Sequence, residues 1–584
     1  MRRAGRSPLW PTSPGPIALG PLLLGSIALG LCACGGEEGG AGPAPPAASV
    51  WFEDVTAESG IDFVHSAYRE KKQWMPEILG AGVALFDHDG DGDLDVYCVQ
   101  SGDFADAPSE RPGNRLFRND GAGRFEDVTE GSGADDCGNG RGVAVGDYDA
   151  DGDLDLYVTN LGANALLRND GGGRFTDVTA VAGVGDGSWG ASAAFFDADR
   201  DGDLDLFVTN YVAWTPSIVL PCTGPSGQPD YCNPNNYRAP ARDVFYRNEG
   251  DGTFTDRSEE AGILAAFGNG LGVTIEDFDG DGWSDVYVAN DGTPNQLWIN
   301  QGGERFVDRA LLAGCAVNGT GAAEAGMGVM AFDLENDGDP DLLMTHLRTE
   351  SNTLYVNRRG SFQDRTVQSG LQGPSLMFTG FGLGLADFDQ DGELDAYVAN
   401  GRVGRFSEAF DDDRPYAEPN QLFRGAGGGR FEEVAPRGGV GECYLGTSRG
   451  LALGDLDGDG DVDAVVCENG ERTRVLRNVG ARGQWVGFRV VTPEGEPVRD
   501  VIGARVEVRF GDQVRWRTIA AAYGYCSSNQ LTAHLGLGEA AEIDAVVVHW
   551  PDGGAAEAFG GYRAGATYVL VRGAGVPLTP PSGR

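Results

Sequence analysis

Asp147-Tyr-Asp149-Ala-Asp151-Gly-Asp153-Leu-Asp155, running on into Leu156-Tyr-Val-Thr159, is the stretch on which the fold turns. Acids at alternate positions bring side-chain oxygens from positions 1, 3, 5 and 9 around one point. Position 7 adds its carbonyl, and glycine at position 6 lets the chain turn sharply. This is the opening logic of an EF-hand loop, but the chelate closes with Asp at position 9 instead of Glu at 12, and the flanks read as strands. A flexible cage of many oxygens suits calcium better than magnesium, and thiol or imidazole ligands for zinc or copper are absent from the loop.

The pattern recurs seven times, starting at Asp87, Asp147, Asp197, Asp277, Asp333, Asp387 and Asp455. The expected calcium ligands, up to seven ions in all, are Asp87, Asp89, Asp91, Asp93 and Asp95; Asp147, Asp149, Asp151, Asp153 and Asp155; Asp197, Asp199, Asp201, Asp203 and Asp205; Asp277, Asp279, Asp281, Trp283 (through its carbonyl) and Asp285; Asp333, Glu335, Asp337, Asp339 and Asp341; Asp387, Asp389, Asp391, Glu393 and Asp395; and Asp455, Asp457, Asp459, Asp461 and Asp463. Glu335 breaks the pattern at position 3 and reshapes its site. His88, at position 2 of the first loop, is expected to point away from the ion. Without cations, four or five carboxylates per loop would oppose folding, so the metal is structural.

Two further elements keep step with the loops. One is Asn-x-Leu-Phe-Arg-Asn, as at Asn114 to Asn119, and the other is Phe-x-Asp-Val-Thr, as at Phe125 to Thr129. An apolar Gly-rich strand precedes each loop, an apolar strand follows it, and a Gly turn joins the last two elements as a hairpin. Four strands in a unit of roughly 50 residues mark a β-propeller. The first Phe-x-Asp strand, at Phe52, precedes any complete unit, and the last unit lacks one. The amino-terminal strand can therefore complete the seventh blade, an offset that an open β-solenoid would not explain. The fold class is all-β: a seven-bladed propeller over 50–480, followed by a small β-rich domain over 481–572 and a disordered tail over 573–584.

The formal net charge of −44 disfavours nucleic acid and anionic lipid as partners. At the amino terminus, Arg2, Arg3 and Arg6 precede an apolar stretch from Ile17 to Leu31 of signal-peptide length, ending in Leu31-Cys-Ala-Cys34-Gly35. This is similar to a bacterial lipobox, with Cys34 the lipidated residue, a leader over 1–34 and a Gly/Pro/Ala tether over 35–49. The expectation is an exported protein, an outer-membrane or cell-surface lipoprotein or otherwise periplasmic or secreted, touching the membrane through a lipid anchor alone. Cys222 and Cys232 share one short insertion and form the candidate disulfide.

The long insertions, 101–113, 211–242 and 401–419, fall on the face opposite the acidic loops, where binding is expected. Gln100, Asn160, Asn210, Asn290, His346, Asn400 and Glu468 end the strand after each loop and form a candidate ligand ring on that face, or else cap strand ends locally. No Gly-x-Ser-x-Gly, His-Glu-x-x-His or P-loop occurs, so the chain is read as a binder of an extracellular protein or glycan and not as an enzyme. A carbohydrate-binding propeller and an extracellular hydrolase are the alternatives.

The repeats resemble FG-GAP/VCBS repeats, the blades of integrin α-subunit propellers. Trp485-Val-Gly-Phe-Arg-Val490, Gly524-Tyr-Cys-Ser-Ser528 and Val546-Val-Val-His-Trp-Pro-Asp-Gly553 are similar to the ASPIC/UnbV domain. The order of the two looks like the cartilage acidic protein family and its bacterial relatives. The resemblance implies an exported calcium-binding protein with matrix or cell-surface contacts, and no defined ligand.

Overall fold

The computed structural model describes residues 50–66, 72–104, 106–405 and 409–578. The leader, Cys34 and the tether lie outside the described residues. From Ala48 onward the chain clusters as one compact unit.

Seven four-stranded antiparallel sheets form among the described residues. In the second repeat the strands are Gly140–Gly146, Asp155–Asn160, Ala165–Asn169 and Phe175–Asp177. Val143 faces Val158, Tyr157 faces Leu166, and Leu167 faces Asp177. The first two of these strands are buried along their whole length. A strand covered on both faces has no polar side to alternate with, which explains apolar runs in place of strict alternation.

The sheets stand around a common axis. The innermost strands, from Val83–Phe86 through Ser448–Gly454, touch one another in cyclic order and the last meets the first. Apolar clusters are shared between neighbouring sheets: Phe86 and Tyr97 of the first pack with Val143, Leu156 and Phe175 of the second. The ring is closed by pairing, since Phe52–Asp54 lies antiparallel to Arg474–Asn478 with Phe52 opposite Asn478.

The carboxy-terminal domain has a three-stranded sheet centred on Gln484–Val491 and a five-stranded sheet containing Arg505–Phe510 and Ala545–His549. Their inner faces share a core that includes Phe488, Val506, Leu535 and Val548. Two expectations need correction. Val576–Pro577, assigned above to a disordered tail, pairs with Glu557–Phe559 as the edge strand of the five-stranded sheet.

The second correction concerns the division at 480. The segment between Thr518 and Ala533 leaves its own domain and fills the centre of the ring. Gly524 exchanges backbone hydrogen bonds with Val329 (2.8 and 3.1 Å). The Cys526 carbonyl accepts from Val143 N at 3.3 Å, and Ser528 exchanges bonds with Val83 and Leu85 (3.0 and 3.1 Å). Asn529 Oδ1 accepts from Leu453 N at 2.9 Å. Tyr525, 1% exposed, sets its ring edge-on to Phe381 at 5.0 Å. Glycines at the centre answer to two close approaches: a Cβ on Gly82, just before the first innermost strand, would come within 2.3 Å of the Cys526 carbonyl oxygen, and one on Gly142 within 2.5 Å of the Ala191 carbonyl oxygen of the neighbouring innermost strand. The plug also explains Cys526. Its φ is +53°, its thiol lies 3.9 Å from Ser192 Oγ, and burial pushes that thiol up to about 12.

Candidate metal centres

Each acidic loop joins an innermost strand to the second strand of its sheet, and its backbone is shaped by its own acids. In the second loop Asp147 accepts from Asp151 N (3.1 Å) and Gly152 N (3.0 Å), and Asp151 accepts from Asp153 N (3.0 Å). Asp155 accepts from Tyr148 N (3.0 Å) and, across the sheet, from Asn169 N (2.8 Å). The position-6 glycines all have left-handed backbones, φ +90° to +102°, as the turn requires. Position 4 is left-handed too, which sequence reasoning missed: Ala150, Arg200, Asn336 and Gln390 adopt φ between +56° and +66°. The glycines at position 4 of the other three loops were the available signal.

The third position decides whether a cation fits. In four loops one carboxylate oxygen of that residue, Oδ1 of Asp89, Asp149, Asp199 and Asp457, is buried without a hydrogen-bond partner among the described residues. Ligand atoms of Asp147, Asp149 and Asp155 lie within 4.8 Å of one another, as do those of Asp197, Asp199 and Asp205, and of Asp277, Asp279 and Asp285. Buried, converging and unmatched carboxylate oxygens are what a hard oxygen-seeking cation satisfies. Burial first, and the neighbouring loop acids next, push Asp147 up to about 6 and Asp197 up to about 6. The ninth position of the second to fifth loops is affected more strongly, mainly through burial: Asp155 rises to about 9, Asp205 and Asp285 to about 8, and Asp341 to about 7.

The loops are not equivalent. Arg358 pairs with Glu335 and, at 3.0 Å, with Asp337, so the fifth loop differs where the sequence pattern breaks. Arg424 lies 3.0 Å from Asp389 and also contacts Asp391. Arg247 lies 3.0 Å from Asp199. The Trp283 ring stacks under Arg200 at 3.8 Å, leaving only its carbonyl for a metal. His88 does not turn away from its loop: Nδ1 meets Asp95 Oδ2 at 2.5 Å and the ring is 4% exposed.

The asparagine that ends each third strand does more than mark a strand. Asn169 Nδ2 donates to Leu154 O of its own loop at 3.3 Å and to His88 O of the preceding loop at 2.8 Å. Asn119, Asn248, Asn300, Asn357 and Asn478 reach back in the same way to Leu456, Tyr148, Ala198, Phe278 and Phe388, at 2.8–2.9 Å. Neighbouring metal loops are thus stapled through a position-2 carbonyl. The sixth sheet carries Gly425 here and has no side chain to reach Leu334.

The candidate ligand ring needs correcting. Gln100, Asn160, Asn210, Asn290, His346, Asn400 and Glu468 are each no more than 4% exposed. Asn290 Nδ2 donates to Pro294 O (3.0 Å), Asn400 Nδ2 to Pro419 O (2.9 Å) and Gln100 Nε2 to Val64 O (3.1 Å). His346 lies 3.8 Å from Glu324, and Glu468 accepts from Ser448 Oγ at 2.9 Å. Several press onto the glycine that leads into the innermost strand of their own sheet: a Cβ on Gly138 would come within 2.2 Å of Asn160 Oδ1, and one on Gly268 within 2.1 Å of Asn290 Oδ1. Gln100, Asn290 and Asn400 thus cap nearby backbone, while one side-chain oxygen each of Asn160, Asn210, Asn290, Asn400 and Glu468 is buried with no partner among the described residues. In the insertion at 211–242, Cys222 and Cys232 form a disulfide with Cα atoms 5.3 Å apart.

The FG-GAP-like repeat model matches residues 87–158, 147–208, 227–288, 277–344 and 333–398, and the ASPIC and UnbV model matches 494–577. Over 309 residues, 51% of this chain, the sequence is 29% identical to cartilage acidic protein 1 of Mus musculus and, likewise, to that of Homo sapiens. The matched stretch spans 44% of the mouse protein and 43% of the human one, less than half their length. Among solved structures, a lectin from Agrocybe aegerita that recognises non-reducing terminal N-acetylglucosamine is 17% identical, with TM-score 0.36, covering 63% of this chain and 86% of that one. The BP39L lectin of Burkholderia pseudomallei is 10% identical, with TM-score 0.40, covering 69% of this chain and 97% of that one.

Proposed function

Because the chain belongs to the FG-GAP-like repeat family and carries an ASPIC and UnbV domain, we propose that it is an exported binding scaffold whose ring is held by calcium and whose insertion face receives a partner protein. The observation that carries the reading is the set of buried position-3 oxygens left unmatched in loops whose other acids already brace the backbone. The residues that would hold calcium are the acids at positions 1, 3, 5 and 9, with the position-7 carbonyl. The ion would offset both the desolvation that burial imposes on these carboxylates and the repulsion between them.

Export is supported by the leader pattern ending at Cys34 and by the Cys222–Cys232 disulfide, a bond favoured in oxidising compartments. Among the described residues no helix is long and apolar enough to cross a membrane, so membrane contact in this reading comes through a lipid on Cys34. The net charge of −44 argues against nucleic acid. We read the chain as a binder and not an enzyme, because its clustered carboxylates are committed to the loops.

The test is metal analysis of the purified protein with melting curves in calcium and in chelator, joined to capture of cell-surface partners under both conditions. The reading expects bound calcium, a large drop in Tm on chelation and loss of the captured partner. An unchanged melt would overturn it.

A further inference from the structure

Strand alternation sends consecutive side chains to opposite sides. The capped ring at Asn210, Asn290 and His346 is therefore followed by residues that face elsewhere, and Tyr211, Asp291 and Leu347 line one cavity of about 200 Å³ on the insertion face. Its walls are apolar: Met75, Leu271, Met327 and Phe381 are each 1% exposed and belong to the same cluster as Tyr525 of the plug. Cys232 and the exposed Asn233 stand on its rim, so the disulfide-tied insertion of the third repeat helps to shape the opening.

One charged group in this lining is unmatched. Asp291 is 7% exposed, its Oδ2 accepts from Tyr211 Oη at 2.5 Å, and its Oδ1 is buried with no hydrogen-bond partner among the described residues. A second carboxyl lies close by, outside the lining. Glu350, which accepts from Ala325 N at 2.9 Å beside the Asp291–Ala325 bridge, has its carboxyl pushed up to about 7 by burial and, less, by Glu324 and Asp291. Arg348, which also lines the cavity, donates to Met377 O at 2.9 Å.

We propose that this cavity is a binding site for an apolar stem ending in an ammonium group, the chemistry of a free alkylamine or of a lysine side chain. The methionine, leucine and phenylalanine walls take the stem, and Asp291 Oδ1 takes a charge-assisted hydrogen bond from the ammonium. The inference rests on the reading of the insertion face as the binding face, and it names the chemistry recognised there.

The test is calorimetric titration of the full chain in calcium with n-pentylamine and with n-pentanol. A charge-assisted bond predicts that the amine binds about tenfold tighter or more. Asp291→Asn should remove that preference, and Met327→Trp should abolish both by filling the cavity, with unchanged melting showing that each variant folds. If Met327→Trp fails to fold, Leu347→Trp serves in its place. A short lysine peptide and its ε-acetylated form separate the two sources: selective binding of the lysine form assigns a partner side chain, and binding of n-pentylamine alone assigns a free amine. Equal binding of amine and alcohol, no binding of either, or an amine preference that survives Asp291→Asn would overturn the proposal. These outcomes are independent of the chelation melt, which tests calcium alone.

Discussion

At position 4 of the second loop Ala150 holds a φ of +64°, a conformation that costs an L-residue with a Cβ about 1–2 kcal/mol. Ala150→Gly should remove the strain and lose part of the gain to chain entropy, a net stabilisation of about 0.5–1 kcal/mol read as a higher Tm in calcium. The ninth position predicts a pH dependence. Folding raises Asp155 to about 9, Asp205 to about 8 and Asp341 to about 7, above their unfolded values. The stability linked to a raised carboxyl is fully present below its unfolded pKa and is lost as pH rises through its folded one. In chelator, therefore, Tm should fall as pH rises from about 5 to 9, and calcium should flatten the fall by stabilising the ionised form. These loop acids were legible because each stands at a fixed spacing. The left-handed position 4 showed only in the glycines of three loops, since alanine, arginine and glutamine in the others do not betray the backbone they adopt.

At the scale of single elements, the third strand and the innermost strand carry the tests. Asn169→Ala removes bonds to the loops of two sheets and leaves the buried His88 carbonyl and the half-buried Leu154 carbonyl short of a partner. The expected cost is about 1–3 kcal/mol, with loss of amide protection in the first and second loops together. Gly82→Ala would drive a Cβ to within 2.3 Å of the Cys526 carbonyl. The innermost strand or the plug must then shift, and Tyr525 fluorescence or proteolysis between Thr518 and Ala533 should report it. The order of the strands and the closure by Phe52–Asp54 were readable, because hydrophobic runs and turn glycines are local signals. The staples were not, since Asn-x-Leu-Phe-Arg-Asn shows an asparagine without showing the carbonyl it reaches in another repeat. Of the two readings of Gln100, Asn160, Asn210, Asn290, His346, Asn400 and Glu468, exposed ligand ring or local cap, their burial goes against the first. Their fixed distance from the loop shows where the strand ends, but not whether the side chain there is turned to solvent or inward.

Across the whole molecule, the boundary at 480 is a boundary of sequence families and not of folding. The carboxy-terminal domain lends its Gly524-to-Asn529 segment to the innermost strands of the ring. A chain ending after Asn478 should therefore lack its central packing and melt well below the full chain, and the full chain should unfold in one transition rather than two. Two separated transitions in calorimetry would contradict that coupling. A plug of this kind carries no periodic signal. Gly524-Tyr-Cys-Ser-Ser528 marks a family resemblance but gives no sign of its partners, nearly 200 to more than 440 residues away.

The missing side chain at Gly425 gives the circle a preferred place to yield. Every other junction between neighbouring loops is bridged by an asparagine, so the fifth and sixth sheets meet with one tie fewer. Gentle warming in low calcium should exchange the amides of Leu334 and its neighbours before those of any other loop, and a crack that starts there would open the circle close to its sewn seam, since Phe52 packs on Phe388 and Tyr397 of the sixth sheet.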